Sequence, residues 1–225
     1  LYFEQDGELI QTFRTIVGTP KNPTPIFSNS VKTIVLNPQW NVPKSIIQKE
    51  YIPKLVRNPN VLRKEKIEVY NGWGRDAVKV NPASVNWAKY RYTKTVPYRL
   101  AQTAGTHNAL GKIKFLFPNK FSVYMHDTPT KHLFAKDKRA FSHGCIRLQK
   151  PRELLETFSA FEENVDLNKS FKILEGTKKK YLPLEEKVPI DVIYLTAWVD
   201  YEGELQFRND IYGYDEMKLK SFKKW

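Results

Sequence analysis

The sequence predicts a mainly β domain with a few α elements, which places the chain in the α+β class. Runs of β-branched and aromatic residues recur between turn residues, and only the segment after Pro151 has a clear helical pattern. Hydrophobic residues make up 41% of the 225 residues, which is enough for a core and argues against disorder. A disulfide framework within the chain is excluded because Cys145 is its single cysteine.

The first strands are expected at the start of the chain. Residues 1–3 and 9–13 flank the dipeptide Asp6-Gly7, which favours a hairpin turn. A further β-branched run predicts a strand at 31–36. Because a natural chain rarely starts within a strand, we expect a fragment of a longer protein, with any signal or membrane anchor upstream.

The stretch from Pro43 to about Thr106 has a mixed pattern, and part of it is expected to be a lid or an insertion. Pro43 favours the first turn of a short helix that runs to Ile52, and Pro53 is expected to break or end it. The tract around Trp73 and Trp87 has no strong periodicity. We therefore expect a lid that has no core of its own.

Regular structure is expected again in the second half of the chain. Strands at 113–117 and 121–126 precede a helix that begins at Pro151, and the second of these strands alternates between apolar and polar residues. The nearly continuous apolar run 192–198 is typical of a strand that is covered on both faces. Residues 205–207 are expected to pair with it across a turn.

The charge of the chain favours polyanionic surroundings. It has 37 Lys and Arg against 24 Asp and Glu, a net charge of +13. Nucleic acid, an anionic membrane surface and a cell-wall polymer all fit such a charge, and so does a lysine-rich solubilising surface. Binding to nucleic acid is not expected, since the basic residues are scattered apart from 178–180 and no nucleic-acid motif accompanies them.

The residues suited to covalent chemistry lie between His126 and Arg147. Histidine or positive charge nearby lowers the pKa of a thiol, and Cys145 has His143 two residues before it and Arg147 two after. Gly144 lets the backbone turn sharply, which leaves N–H groups to face a developing oxyanion. Three interpretations compete: a buried structural cysteine, a zinc site, and a cysteine nucleophile with a histidine base.

The nucleophile is the favoured interpretation. The flanking residues Ser142, His143 and Arg147 are polar or cationic, which is unusual around a structural cysteine. A papain-like protease would need a histidine well downstream of the cysteine, and His143 is the last histidine. No metal is expected, because the spacing is unusual for a zinc site, whose donors would be His126, His132, His143 and Cys145.

The same stretch resembles the signature of the L,D-transpeptidase (YkuD-type) family, which is a histidine, fifteen intervening residues and Ser/Thr-His-Gly-Cys. Here the histidine is His126 and the tetrapeptide is residues 142–145. Arg147 stands where many members carry Asn, although Arg fits the YcbB-like subfamily of murein L,D-transpeptidases. The segments that are similar to this subfamily are 17–20, 37–43, 108–115, 117–119, 126–129, 139–141 and 210–213.

The resemblance implies that residues 1–225 form a catalytic domain, a YkuD-type β-sandwich with an inserted capping subdomain at 41–106. It implies a peptidoglycan L,D-transpeptidase in the bacterial cell envelope, on the periplasmic side, that needs no cofactor. Its partners would be donor and acceptor stem peptides, and carbapenems would inhibit it covalently. The cysteine would form a thioester with the third residue of the donor tetrapeptide and release D-Ala. A diamino-acid side-chain amine of the acceptor would then resolve the thioester to a 3→3 cross-link.

The resemblance also implies the catalytic roles. Cys145 is the nucleophile and His126 is the general base and acid, oriented by the backbone carbonyl of Asp127. Backbone N–H groups at Gly144 and Cys145 are the candidates for the oxyanion hole, and His143 steadies either the loop or the substrate.

Other polar residues are candidates for substrate binding. Arg147 is expected either to bind a substrate carboxylate or to form an internal ion pair. Tyr124 either lines the cleft or packs in the core, and Ser142 is a candidate contact. His107 and His132 are expected to be structural.

Two further activities remain open at this stage. An L,D-carboxypeptidase would form the same acyl-enzyme and transfer it to water, which trims tetrapeptides to tripeptides. A cationic wall-binding module without catalysis would bind the same polymer and form no thioester.

Overall fold

The computed structural model describes residues 1–74, 76–93 and 95–222. Strands dominate this part of the chain, which confirms the predicted mainly β, α+β class. In chain order the strands are β1 (Tyr2–Gln5), β2 (Glu8–Thr12), β3 (Thr15–Gly18), β4 (Phe27–Leu36), β5 (Trp40–Asn41), β6 (Ile67–Asn71), β7 (Val78–Val80), β8 (Tyr98–Gln102), β9 (Ile113–Leu116), β10 (Met125–His126), β11 (Ala140–Ser142), β12 (Ile146–Leu148), β13 (Lys180–Val192), β14 (Ala197–Val199) and β15 (Leu205–Phe207). The α-helices are α1 (Lys44–Ile46), α2 (Ile52–Arg57), α3 (Pro151–Ser159), α4 (Leu167–Glu175) and α5 (Tyr214–Phe222).

The main sheet has seven strands in the order β11-β3-β12-β10-β9-β4-β13. The pairs β10–β12 and β11–β3 are parallel, and the other neighbours are antiparallel. The hairpin β1–β2 with its turn at Asp6-Gly7 confirms the first prediction, and β4 confirms the predicted strand at 31–36. The loop before β10 thus leads into the middle of the sheet. There, β10 is paired with β9 on one side and with β12 on the other.

Helix α3 covers one face of this sheet, as its sequence predicts. Pro151 occupies the first turn, where a missing N–H costs nothing, and Leu154, Leu155 and Phe158 are buried. The Phe158 ring lies 5.6 Å from the ring of Phe115 on β9. Each such side chain contributes about 1.5–3 kcal/mol by leaving water. Helix α4 has no counterpart among the sequence-based predictions; the side chain of its N-cap residue Asp166 accepts the N–H of Lys169.

The segment between β4 and β9 forms a second sheet with the strand order β5-β8-β6-β7. Its side chains build a separate hydrophobic cluster that includes Val42, Leu55, Trp87 and Leu100, so the expectation of a lid without its own core is wrong. Trp73 is 42% exposed and stays outside this cluster. The limits of the proposed subdomain at 41–106 remain a prediction.

The helical part of this segment continues through Pro53, where we expected it to break or end. A π-helical turn, Ile47–Tyr51, joins α1 to α2, and the N–H of Ile52 bonds to the carbonyl of Ile47. Pro53 therefore lies in the first turn of α2, where it needs no N–H partner. The wider turn accommodates the proline ring and lets the helix run on to Arg57.

The predicted strand at 121–126 is much shorter in the structure. Its regular part is β10 alone, because Ser122 has a φ of 57° and turns the chain, and Phe121 is 44% exposed. Alternation of side chains in the sequence does not require the backbone to be paired.

The apolar run at 192–198 is not a strand covered on both faces. β13 ends at Val192, and residues 197–199 form the short hairpin β14–β15 with the predicted partner 205–207. Val199 and Phe207 are 64% and 67% exposed in it. Within the described residues, no helix is long and apolar enough to cross a membrane.

Candidate active site

Strand β10 brings the predicted histidine between two strands that carry cations. His126 is paired in register with Lys114 on β9 and with Arg147 on β12. Residues in register on neighbouring strands point to the same face of a sheet, so these three side chains share one face. Their neighbours on the other face, Met125 and Phe115 among them, are buried in the main core. Side chains alternate between the two faces along each strand, so one face of the sheet carries the polar site and the other faces the apolar core.

Cys145 directly precedes β12 and lies against this polar face. The backbone N–H of Ile146 donates to the carbonyl of Tyr124 at 3.0 Å, which holds the cysteine next to the start of β10. Burial raises the pKa of the Cys145 thiol. Hydrogen bonding to Tyr124 and the positive charges of Lys114 and Arg147 act in the opposite direction but do not overcome burial. The thiol is therefore protonated at neutral pH.

His126 is almost completely buried, and its environment fixes its protonation state. Its Nδ1 lies 2.5 Å from the backbone carbonyl oxygen of Asp127, the contact that the family resemblance implies. Burial lowers the pKa of His126 to about 3, and the charges of Arg147 and Lys114 act in the same direction. The imidazole is thus neutral at neutral pH. Because Nδ1 donates its proton to the carbonyl, Nε2 carries the free lone pair that can accept a proton.

The side chain of Asp127 has a separate, structural role. Its carboxylate accepts the N–H groups of Lys112 at 2.9 Å and Thr128 at 2.7 Å, and Lys131 Nζ lies 2.6 Å away. A Cβ at Gly111, where φ is +58°, would come within 2.2 Å of the same carboxylate. Asp127 thus fastens the start of β9 to the end of β10 and keeps its own carbonyl on His126.

The loop 142–145 is braced by hydrogen bonds within itself. Ser142 is buried, and its Oγ accepts the Gly144 N–H at 3.1 Å and donates to the Cys145 carbonyl at 2.5 Å. Gly144 has a φ of +108°, in the region that glycine adopts without strain. Thr24 Oγ1 donates to the Gly144 carbonyl at 2.9 Å and accepts the N–H of Gly18. The Gly144 N–H therefore has a partner, whereas the Cys145 N–H bonds to no group among the described residues.

His143 contacts the inserted segment. Its Nε2 lies 2.7 Å from Glu50 Oε1, and both side chains are partly exposed. Glu50 belongs to the π turn that joins α1 to α2. The loop that carries Cys145 is thus linked directly to the helical part of the inserted segment.

Tyr124 lies beside both candidate catalytic side chains. Its ring is 5.6 Å from that of His126, and Lys114 Nζ lies 3.7 Å from its centre. Burial raises the pKa of the Tyr124 hydroxyl, and the neighbouring Cys145 adds to this effect. The hydroxyl therefore stays protonated at neutral pH.

Arg147 presents its guanidinium without a carboxylate partner. Its Nη1 donates to Thr130 Oγ1 at 3.3 Å, and its buried Nε has no hydrogen-bond partner. No ion pair to it is formed by residues 1–74, 76–93 or 95–222. The internal ion pair that the sequence left open is therefore absent from this part of the chain, and the guanidinium fork can take a ligand carboxylate.

The remaining histidines lie outside this arrangement. His132 is exposed on a short 3-10 turn, Lys131–Ala135, and the His107 ring contacts Thr103 Oγ1 at 3.4 Å. In the described parts of the chain, no three His, Cys, Asp or Glu side chains are grouped as a metal site would require.

Lys114 is the functional candidate that reasoning from the sequence missed. It is half-buried, and burial lowers its pKa while Cys145 raises it. The alternation of residues 113–116 shows only that Lys114 points away from the core. The register that sets it opposite His126 is a property of the folded sheet.

Replacing Lys114 by methionine is expected to raise the pKa of the Cys145 thiol further, because the ammonium charge favours the thiolate. A rise of half to one pK unit would slow alkylation by iodoacetamide about three- to tenfold at a fixed pH below the thiol pKa. The measurement is the alkylation rate across the pH range. Lys114→Arg keeps the charge and should react like the wild type, as should Lys32→Met, which removes the same charge from an exposed position on β4. An unshifted profile in Lys114→Met would contradict this role.

Comparison with known proteins shows the family of this chain. A family model described as the L,D-transpeptidase catalytic domain (YkuD) matches residues 1–181, which is 181 of the 225 residues. A protein of Haemophilus influenzae, provisionally named an L,D-transpeptidase, is 34% identical over 215 residues that include 96% of this chain. The chain spans 42% of the length of that relative. On the strength of the family match, the chain belongs to the L,D-transpeptidase catalytic domain (YkuD) family.

Proposed function

We propose that the chain is the catalytic domain of a peptidoglycan L,D-transpeptidase that acts through a cysteine thioester. The observation that carries the proposal is the neutral His126 imidazole, with Nδ1 held by the Asp127 carbonyl, on the sheet face that Cys145 adjoins. A thiol and a fixed, unprotonated imidazole nitrogen at one face of a sheet are the groups that nucleophilic acyl transfer uses. The family match supports the same chemistry.

The first half-reaction acylates Cys145. Its sulfur attacks the carbonyl of the donor's third residue while the thiol proton passes to Nε2 of His126. The resulting tetrahedral intermediate collapses, its C–N bond breaks, and the proton moves from His126 to the leaving D-Ala amine. Because the thiol pKa is raised and that of His126 is lowered, the free protein holds a neutral pair. The proton therefore moves as the C–S bond forms, not before.

The second half-reaction transfers the acyl group. The side-chain amine of the acceptor's diamino acid attacks the thioester, and its proton passes to His126 and then to the leaving sulfur. This restores the thiol and forms the 3→3 cross-link. No oxidant, nucleotide or metal enters the balance, because the peptide bond that is broken supplies the energy of the one that forms.

The negative oxygen of each tetrahedral intermediate needs a donor. The N–H of Cys145 is available for it, whereas the N–H of Gly144 donates to Ser142 Oγ. We therefore assign the oxyanion contact to Cys145 and a loop-holding role to Ser142. Arg147 is the candidate for a stem carboxylate, because its guanidinium forms no ion pair within the described residues.

We also propose that the inserted segment acts as the capping subdomain. Glu50 touches His143, which adjoins the Gly144-Cys145 dipeptide. A substrate that enters beside the cysteine would meet this segment, so we propose that it covers the bound stem.

Two further proposals follow from the proposed reaction. Carbapenems, which present an acyl bond to such a thiol, would be covalent inhibitors. Because the substrate is peptidoglycan, the enzyme would act on the periplasmic side of the envelope.

Product analysis tests the function. The chain is incubated with disaccharide tetrapeptides, and the products are separated and weighed by mass spectrometry. A cross-linked dimer that has lost one D-Ala supports the transpeptidase. Tripeptide without dimer would show an L,D-carboxypeptidase, and binding without any turnover would show a non-catalytic wall-binding module; either result overturns the proposed cross-linking reaction.

A further inference from the structure

A second cleft, separate from the cysteine site, lies beside the N-terminal hairpin and β14–β15. Its volume is about 960 Å³. No residue assigned to the chemistry lines it. Its charged lining is five cations and one anion, namely Arg14, Lys138, Arg139, Lys150, Arg208 and Asp137.

The guanidinium groups of this cleft are close to one another. Burial lowers the pKa of Arg139, and the positive charges of Arg14 and Arg208 lower it further. The Arg139 Nε is buried and has no hydrogen-bond partner. Arg14 and Arg139 each donate through Nη1 to a backbone carbonyl, so their positions are fixed. Lys150 is paired with Glu153 at 2.8 Å, which leaves four cations beside the single carboxylate of the lining, and such an excess of positive charge favours an anion.

Aromatic side chains complete the lining. The Arg208 guanidinium lies 4.9 Å from the centre of the Trp198 ring, and Phe207 beside it is exposed. Guanidinium forks bind carboxylates in a bidentate manner, and flat aromatic faces pack against sugar rings or peptide stems. The cleft therefore combines contacts for carboxylates with contacts for an uncharged scaffold.

The main sheet connects this cleft to the cysteine. β3 and β11 run from Arg14 and Arg139 at the cleft towards the Cys145 loop, and β12 runs back from it to Gln149. Gln149 lies four positions after Cys145 in extended chain, a span of about 13 Å. A polymer with stems at intervals could occupy both places at once.

We propose that this cleft binds a carboxylate-bearing stem of peptidoglycan other than the stem under reaction, and so holds the polymer on the enzyme. The proposal rests on the proposed function, because it takes the same polymer as the ligand. Two exposed cations, Lys138 and Arg208, are the groups to change. Arg208 donates through Nη1 only to its own neighbours, the Phe207 carbonyl and Gln206 Oε1, whereas Arg14 holds the carbonyl of Phe134, which is distant in the chain.

The test uses Cys145→Ala as the background, so that no acyl-enzyme forms, and measures co-sedimentation with purified peptidoglycan sacculi. Adding Lys138→Gln and Arg208→Gln is expected to weaken binding about three- to thirtyfold, the effect of two partly exposed ion contacts. The control pair Lys178→Gln and Lys179→Gln removes the same charge from an exposed cluster and should bind like the background. Equal weakening by both pairs, or none by the cleft pair, overturns the proposal.

A second arm identifies the chemistry of the ligand. Sacculi whose carboxylates have been amidated should bind the background protein as weakly as untreated sacculi bind the cleft pair. If the cleft pair still weakens binding to amidated sacculi by the same factor, the ligand is not a carboxylate and the proposal fails. With Cys145 restored, the cleft pair should turn over a short tetrapeptide at the wild-type rate. Absence of that turnover in the wild type would contradict the proposed function, whereas the binding arms judge the cleft independently.

Discussion

Replacing Cys145 by alanine is expected to abolish formation of an acyl-enzyme with a stem tetrapeptide or a carbapenem. The sulfur supplies the bond that holds the acyl group, and no other cysteine can substitute for it. Removal of a nucleophile commonly lowers kcat by a factor of about 10⁴ to 10⁶. Mass spectrometry of the intact chain measures this directly, because the adduct adds the mass of the acyl group to the wild type alone.

Cys145→Ser is the matched control for the shape of the site. It keeps a side chain of similar size, so the loop 142–145 and its hydrogen bonds should be preserved. Because a serine hydroxyl is far less acidic than a thiol, the variant is expected to bind the tetrapeptide and turn it over at a small fraction of the wild-type rate. An adduct on Cys145→Ala would refute the assignment of the nucleophile.

Replacing His126 by glutamine is expected to lower kcat/KM for acylation by about 10² to 10⁴, the usual range for loss of general acid–base catalysis. Glutamine can still donate a hydrogen bond towards the Asp127 carbonyl but cannot take the thiol proton. Single-turnover acylation by the tetrapeptide is the measurement. His132→Gln is the matched control, since His132 is exposed and lies outside the site, and it should react like the wild type. A wild-type rate in His126→Gln would remove the imidazole from the mechanism.

The pH profile of the wild type gives a separate reading of the same residue. A base must be unprotonated to act, and burial keeps His126 in that form at every pH well above about 3. In a plot of the acylation rate against pH, His126 should therefore cause no inflection near 6.5, the ordinary pKa of histidine. The rate should instead stay level between about pH 3 and the raised pKa of the Cys145 thiol, because the neutral thiol–imidazole pair is the reactive form throughout that range. An inflection near 6.5 that disappears in His126→Gln would contradict the buried, neutral imidazole.

Elements whose signals are local could be predicted from the sequence. The hairpin β1–β2 follows from Asp6-Gly7 between apolar runs, and α3 follows from Pro151 and the spacing of its three buried residues. In both cases the residues that specify the element are within a few positions of one another. Backbone preference and side-chain pattern therefore give the same answer before any tertiary contact forms.

The sequence-based predictions that the structure overturned share a different cause. Pro53 continues a helix whose preceding turn is π-helical, and Val199 is exposed because none of the described residues packs over it. Trp87 belongs to a core whose members are scattered along the inserted segment. Each outcome depends on which distant residues come into contact, and that information is not carried by the periodicity of a single segment.

The sequence determines which chemical groups the candidate site contains. A histidine, a fifteen-residue spacing and a Ser-His-Gly-Cys tetrapeptide specify a thiol, an imidazole and a glycine whose backbone can take a positive φ. These are properties of residue types and their order. They were sufficient to indicate the family, which the comparisons then showed.

The tertiary structure alone decided how these groups behave. Burial makes the thiol and the imidazole both neutral, the sheet register adds Lys114 to their surroundings, and the ends of three strands gather Arg14, Arg139 and Lys150 into a second cleft. Protonation depends on solvent exposure and on charges within a few ångströms. Those quantities are set by how strands far apart in the chain are paired, so only the folded sheet could fix them.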